Sequence, residues 1–170
     1  MLIVLRLNHR KERDKRLTSH VFLCARALGA DKGVLCGEND ANVINSVNKV
    51  SENWGGSFKI SWSASPKKTI SQSGAKIVHL TMYGQPLSRV MPKIRKHKKV
   101  MVVVGSSKVQ PEFYELADYN VSVTNQPHSE VSSLALFLDR YFRGRELEKK
   151  FKNAKIKVNP SKKGKDVVKK

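Results

Sequence analysis

Three short stretches carry the residue types that could do chemistry. Asn125-Gln126-Pro127-His128-Ser129-Glu130 sets two amides, an imidazole and a carboxylate in six consecutive positions. It follows the strand-like run 119–124 and precedes 131–142, whose pattern predicts a helix, with Pro127 suited to the first helical position. His79-Leu80-Thr81-Met82-Tyr83-Gly84 and Gly105-Ser106-Ser107-Lys108 end two further apolar runs. In a parallel sheet the carboxyl ends of the strands share one edge, so these turns can converge on one ligand. Gly84 and Gly105 would let backbone approach that ligand closely. Taken singly, each stretch is an ordinary turn. The phosphate-loop spacing and the GxGxxG fingerprint are both absent, and no G-x-S-x-G surrounds Ser129. Nucleoside triphosphates, ordinary dinucleotides and nucleophile-elbow hydrolases are therefore set aside.

A second chemistry is electrostatic. Six Lys and Arg residues lie between Arg6 and Arg16, and twelve more between Arg143 and Lys170. The chain of 170 residues carries 33 Lys+Arg against 14 Asp+Glu, a net charge of +19. Such cations repel one another unless a polyanion binds, and nucleic acid is the commonest polyanion. Aromatics make up 7% of the chain, too few for a base-stacking platform, so shape and backbone recognition of a folded RNA fits better. There is no long apolar run and no signal-peptide pattern, which argues against a membrane. Cys24 and Cys36 sit in apolar surroundings without a ligand spacing. They read as reduced, buried thiols in a cytoplasmic compartment, with no metal.

The elements that must hold these stretches alternate. Residues 1–7 read as a buried strand and 8–16 as a basic loop. Thr18 or Ser19 can cap a helix running to Leu28, with Gly29 as its stop. Residues 33–37 predict a strand, and Asn39 or Asp40 caps a helix that ends at Trp54-Gly55-Gly56. Strands follow at 58–62 and 76–83, the latter ended by Gly84, around a polar loop with a short helix after Pro66. A helix at 86–96, the apolar strand 100–104 and a short helix at 111–116 complete the approach to the opening stretch. A strand is possible at 154–158. The alternation predicts an α/β fold with a mainly parallel sheet and helices on both faces.

Several blocks in order resemble the archaeal tRNA (cytidine-56) 2′-O-ribose methyltransferases. They are Arg6-Leu7-x-His9-Arg10-x-x-Arg13-Asp14-x-Arg16-x-Thr18-x-His20-Val21, Ala25 to Ala30, Val78 to Gly84, Val104-Gly105-x-x-Lys108-Val109, Tyr114 to Val121 and Asn125 to Val131. Residues 31–75 carry little of the likeness. The resemblance implies the SPOUT superfamily: a C-terminal trefoil knot, a homodimer, S-adenosylmethionine (AdoMet) as cofactor and tRNA as substrate. It implies cofactor contacts at Leu80 and Gly84, at Gly105, Ser106, Ser107, Lys108 and Val109, and at Val123, Thr124, Asn125, Gln126, Pro127, His128, Ser129 and Glu130. Ser106-Ser107 stands where relatives often carry Ala-Glu, and Gln110-Pro111 shifts the usual proline.

For catalysis the resemblance points to an arginine near the N-terminus. Arg16 is the choice, with Arg10, Arg13 and His20 as rivals. A guanidinium is too weak an acid to serve readily as a base, so it would stabilise the developing alkoxide. Residues 1–145 are expected as the methyltransferase domain, with 146–170 a basic extension packed on it. Two other readings share these features: a non-catalytic basic RNA-binding protein, and a SPOUT methyltransferase acting on another tRNA position or on a base nitrogen.

Overall fold

The computed structural model describes residues 1–105 and 109–169. Its main sheet holds β1 (Leu2–His9), β2 (Lys32–Gly37), β3 (Lys59–Ser63), β4 (Lys76–Pro86), β5 (Val100–Val104) and β6 (Tyr119–Ser122). The order is β3-β2-β1-β5-β4-β6, and every pair is parallel. Between the strands run α1 (Lys11–Ala27), α2 (Ala41–Trp54), α3 (Pro66–Ser71), α4 (Leu87–Ile94) and α5 (Pro111–Leu116), and α6 (Glu130–Phe142) follows β6.

Two apolar layers flank the sheet, as the unbroken apolar run of β5 demands. One layer gathers Phe22 of α1, Val43 and Val47 of α2, Ile94 of α4 and Leu134 and Phe137 of α6 against Leu2, Val4 and Val102. The other places Ile70 of α3 and Phe113 of α5 against Ile3, Leu5 and Val103. Side chains alternate along β1, so Arg6 falls on the same side as Leu2 and Val4, under α1 and α6.

The local signals explain most boundaries. Asp40 caps α2, its carboxylate accepting from Asn42 N and Val43 N at 3.1 Å each. Ser65 caps α3 ahead of Pro66. Four expectations are corrected. Residues 11–16 are helix, not loop: Glu12 and Asp14 lie in the first turn of α1, where the helix dipole favours negative charge. Asp14 there accepts the Arg10 backbone N–H at 3.2 Å. Thr18 is no cap but a buried residue inside α1, its hydroxyl 2.9 Å from His9 Nδ1. Pro127 is not the first helical residue, because Ser129 caps α6 by accepting from Val131 N at 3.1 Å. Finally, β4 runs past Gly84, and Gln85 and Pro86 pair with Val121 and Ser122 after a register shift.

Beyond α6 the chain makes a 3₁₀ turn at Arg145–Glu148 and an antiparallel ribbon, β7 (Ile156–Asn159) with β8 (Asp166–Lys169). The return strand was not anticipated, since only Val167 and Val168 are apolar there. This segment touches the body closely. Gly56 N donates to Lys152 O and Lys155 N to Asn53 O, both at 2.9 Å, and the Arg26 guanidinium lies 4.8 Å from the Phe151 ring centre. Among the described residues no helix is long and apolar enough to cross a membrane.

Candidate functional site

Register brings the chemistry-bearing stretches to one edge. Leu80 lies beside Val104 on one flank and Val121 on the other, and Arg6 lies beside Val104. Next to these strand ends is a cavity of about 370 Å³, within the usual range for a small-molecule site. β4 contributes His79, Leu80, Thr81, Met82 and Tyr83, and the chain around β5 contributes Val104, Gly105 and Val109. Tyr114 of α5, Pro127, His128 and, on α6, Glu130 and Ser133 complete the wall. Six residues expected at a cofactor site therefore line it: Leu80, Gly105, Val109, Pro127, His128 and Glu130. Ser106, Ser107 and Lys108 lie outside the described residues.

Other expected residues sit elsewhere. Gly84 is not among the lining residues, and its lack of a side chain has another cause. A Cβ there would come within 2.4 Å of Val121 N and 2.6 Å of Asn120 O. The glycine lets β4 cross β6 at close range. Gly105 lets Val109 pack closely against it, since a Cβ would meet Val109 Cγ2 at 2.0 Å. Asn125 uses its amide to hold the turn, donating to Met82 O and to Ser122 Oγ. Val123 lines a separate cavity with Leu87 and Arg140. Thr124 Oγ1 accepts from Gln126 N at 3.3 Å, a bond internal to the turn.

The basic residues proposed for catalysis lie on the surface of this single chain. Arg10, Arg13, Arg16 and His20 are all exposed on or beside α1, and none lines the cavity. Arg10 Nε and Arg13 Nε lie 3.4 and 3.7 Å from the Asp14 carboxylate. Arg6, by contrast, is fully enclosed, with Nη1 3.4 Å from Glu130 Oε1. Among the described residues its Nε and Nη2 have no hydrogen-bond partner. Burial pulls the Arg6 pKa down from its usual value, while Glu130 and Asp14 oppose that shift. The contact ties β1 to the first residue of α6, 124 positions away.

His79, Thr81 and Tyr114 of the same wall belong, with Asn120, to a hydrogen-bonded cluster that turn chemistry alone did not single out. Asn120 Nδ2 donates to Tyr114 O at 2.8 Å, and Asn120 Oδ1 lies 2.9 Å from His79 Nδ1. The Tyr114 and Thr81 hydroxyls are 3.2 Å apart, and the Tyr114 ring meets the His79 ring edge-on at 4.7 Å. Burial lowers the His79 pKa, with the Asn120 bond pulling the other way, so the ring is neutral at neutral pH. The only sequence signal for this cluster was the polar residue His79 within an apolar strand. Cys24 and Cys36 are free, and burial pushes their thiols up to about 11 and about 12, so both are protonated and inert. Among the described residues no group of three or more His, Cys, Asp and Glu could hold a metal ion.

The family described as tRNA ribose 2′-O-methyltransferase, aTrm56, matches residues 54–168. The tRNA (cytidine(56)-2′-O)-methyltransferase of Methanocaldococcus jannaschii is 54% identical over 170 residues, covering 97% of this chain and 94% of that protein. The protein of the same name from Methanopyrus kandleri is 48% identical over 168 residues, with 97% and 94% covered. Among solved structures, the SpoU methyltransferase AviRb from Streptomyces viridochromogenes, in complex with the cofactor AdoMet, superposes with a TM-score of 0.63 at 15% identity. That match covers 85% of this chain but only 57% of AviRb. The A. aeolicus TrmH/SpoU tRNA modifying enzyme gives 0.61 at 18% identity, with 86% and 76% covered. At such identities the likeness is one of fold.

Proposed function

The chain belongs to the aTrm56 family of tRNA ribose 2′-O-methyltransferases, and from that premise we propose that it methylates the 2′-hydroxyl of cytidine 56 in the T-loop of tRNA, with AdoMet as donor. Identity near one half with proteins named for this reaction, over nearly the whole chain, carries the proposal. The cavity fits the cofactor on its own chemistry. It has the volume of a small-molecule site, an apolar wall at Leu80, Val104 and Val109, and a carboxylate at Glu130. Those residues would hold the bound cofactor, whose sulfonium supplies an activated methyl group.

The protein's own task is to orient the ribose and to ease loss of the hydroxyl proton. Proximity and orientation can contribute up to roughly 7–11 kcal/mol. In this reading the protein is a cytoplasmic homodimer, and α1 of one copy completes the cavity of the other. Arg16 then stabilises the developing alkoxide, with Arg10, Arg13 and His20 beside it. The net charge of +19 supports tRNA phosphate binding by the same surface. The premise also makes a C-terminal trefoil knot the expected path of the cavity-building segments, and residues 146–170 an extension packed on the 1–145 domain.

The test is incubation with unmodified tRNA and labelled AdoMet, followed by mapping of the methyl group. Label on the ribose of cytidine 56 is the expected result; label on a base or at another position overturns the assignment. Arg16→Ala should slow methyl transfer by about 10²–10³-fold, the usual cost of losing one oxyanion donor. AdoMet affinity by calorimetry should stay within a few-fold, and undiminished turnover would remove Arg16 from catalysis.

A further inference from the structure

α6 begins at the cavity, with Glu130 in its wall, and its 13 residues carry the chain about 20 Å towards the opposite edge of the sheet. α4 leaves β4 at the cavity edge and runs the same way, since the parallel strand β5 starts again from the far side. At the far ends of the two helices, Arg95, Arg140 and Arg143 line a hollow of about 410 Å³ with Asp139 and Gly144. Three guanidinium groups meet one carboxylate there. Helix C-termini attract cations, and Arg95 has that use. It donates from Nε to Tyr141 O at 3.3 Å and from Nη2 to Arg140 O, closing two carbonyls at the end of α6.

Arg140 and Arg143 are not used in this way. Both side chains are exposed. Arg140 Nε lies 3.8 Å from Asp139 Oδ2, a loose surface contact, and Arg143 makes no ion pair among the described residues. Arg143 also adopts φ 60° and ψ 41°, the left-handed conformation that glycine usually supplies at a helix end. Strain of this kind tends to be kept where the side chain has a use. Burial pulls the Arg95 pKa down and the charge of Arg143 adds to that pull, so the two cations are close enough to repel. Such a group calls for an anion, and its distance from the cavity decides which. A cofactor held at Glu130 does not reach this far, whereas a nucleic acid with its target nucleotide at the cavity continues past it. A second hollow, lined by Leu87, Met91 and Val123, shares Arg95 and Arg140 with the first. The groove between α4 and α6 therefore runs from the turn after β6 to the arginines.

We propose that Arg140 and Arg143, backed by Arg95, form a second RNA contact that holds the phosphodiester backbone of the substrate tRNA at the edge of the sheet opposite the methyl-transfer cavity. A guanidinium presents a planar fork of donors that matches the paired oxygens of a phosphate. The inference rests on the reading of tRNA as substrate. It adds a contact remote from the first turns of α1, whose cations follow β1 at the cavity edge.

The experiment is a salt titration of the affinity of the full chain for unmodified tRNA, set beside the double variant Arg140→Gln/Arg143→Gly. Glycine suits the left-handed backbone at 143, so the variant removes both charges without straining the helix end. The slope of log Kd against log salt should fall by about 1.4–1.8, two phosphate contacts at 0.7–0.9 each. Arg140→Gln alone should lower it by about half as much. Affinity for S-adenosylhomocysteine, measured by calorimetry, should be unchanged. An unchanged salt slope would overturn the proposal. So would a matching loss of S-adenosylhomocysteine affinity, which would mark a structural cluster. A change of oligomeric state in sedimentation with the slope intact would give the groove to a second copy of the chain and overturn it too. Failure of the wild type to bind tRNA would instead sink the substrate reading itself.

Discussion

At the scale of single residues, Gly84 has a use that turn chemistry did not suggest. Its glycine suggested close approach to a ligand, and in the structure it allows close approach of two strands. A methyl group at this position would press on the backbone of Asn120 and Val121 rather than on a movable side chain. Gly84→Ala should therefore destabilise the protein by about 1–3 kcal/mol, a usual cost of overpacking. For a domain of this size the melting temperature should fall by roughly 2–4 °C for each kcal/mol. An unchanged melting temperature would remove the crossing as the reason for the glycine. Arg6 is the converse case. It opens the basic run yet also belongs to residues 1–7, which read as a buried strand, and its place on β1, beneath α1 and α6, encloses it. The strand pattern separates Arg6 from Arg10, but which elements cover it depends on which strands flank β1.

Elements were legible where local chemistry decides them. Asp40 was visible as a cap, the short helix after Pro66 was visible from its proline, and β5 from its uninterrupted apolar run, because each depends on residues within a few positions. The caps of α1 and α6 were misread because Thr18 and Pro127 also have the right local chemistry. For Thr18, the tertiary partner His9 takes the hydroxyl and packing draws the helix eight residues farther back. The Asp40 cap supports a prediction at this scale. Its carboxylate holds two backbone N–H groups of α2 and lies 3.4 Å from His9 Nε2. Asp40→Ala should cost about 1–2 kcal/mol, the upper part of the range for a lost cap. Ser65→Ala, on the exposed helix α3, should cost less than Asp40→Ala. Thermal melts of the two variants compare them, and equal losses would mean that the His9 contact adds nothing.

For the whole molecule, charge and topology do separate work. The excess of 19 positive charges predicts that tRNA affinity falls steeply with salt, by a slope of about 0.7–0.9 in log Kd per phosphate neutralised. Lys15→Ala, on the exposed face of α1, should weaken binding evenly across tRNA sequences and lower that slope by about one. A salt-independent affinity would exclude α1 and its cations as an RNA surface. Charge, the strand and helix alternation and the blocks shared with a known family are properties of the linear chain, so they could be read without coordinates. The ligand edge could be anticipated too, because parallel strands must end together. The sequence could not reveal that Leu80 sits between Val104 and Val121, that Glu130 reaches Arg6 or that Asn120 meets His79. Those contacts join residues 24 to 124 positions apart. They depend on strand order and register, which the packing of both sheet faces settles at once and which no local pattern encodes.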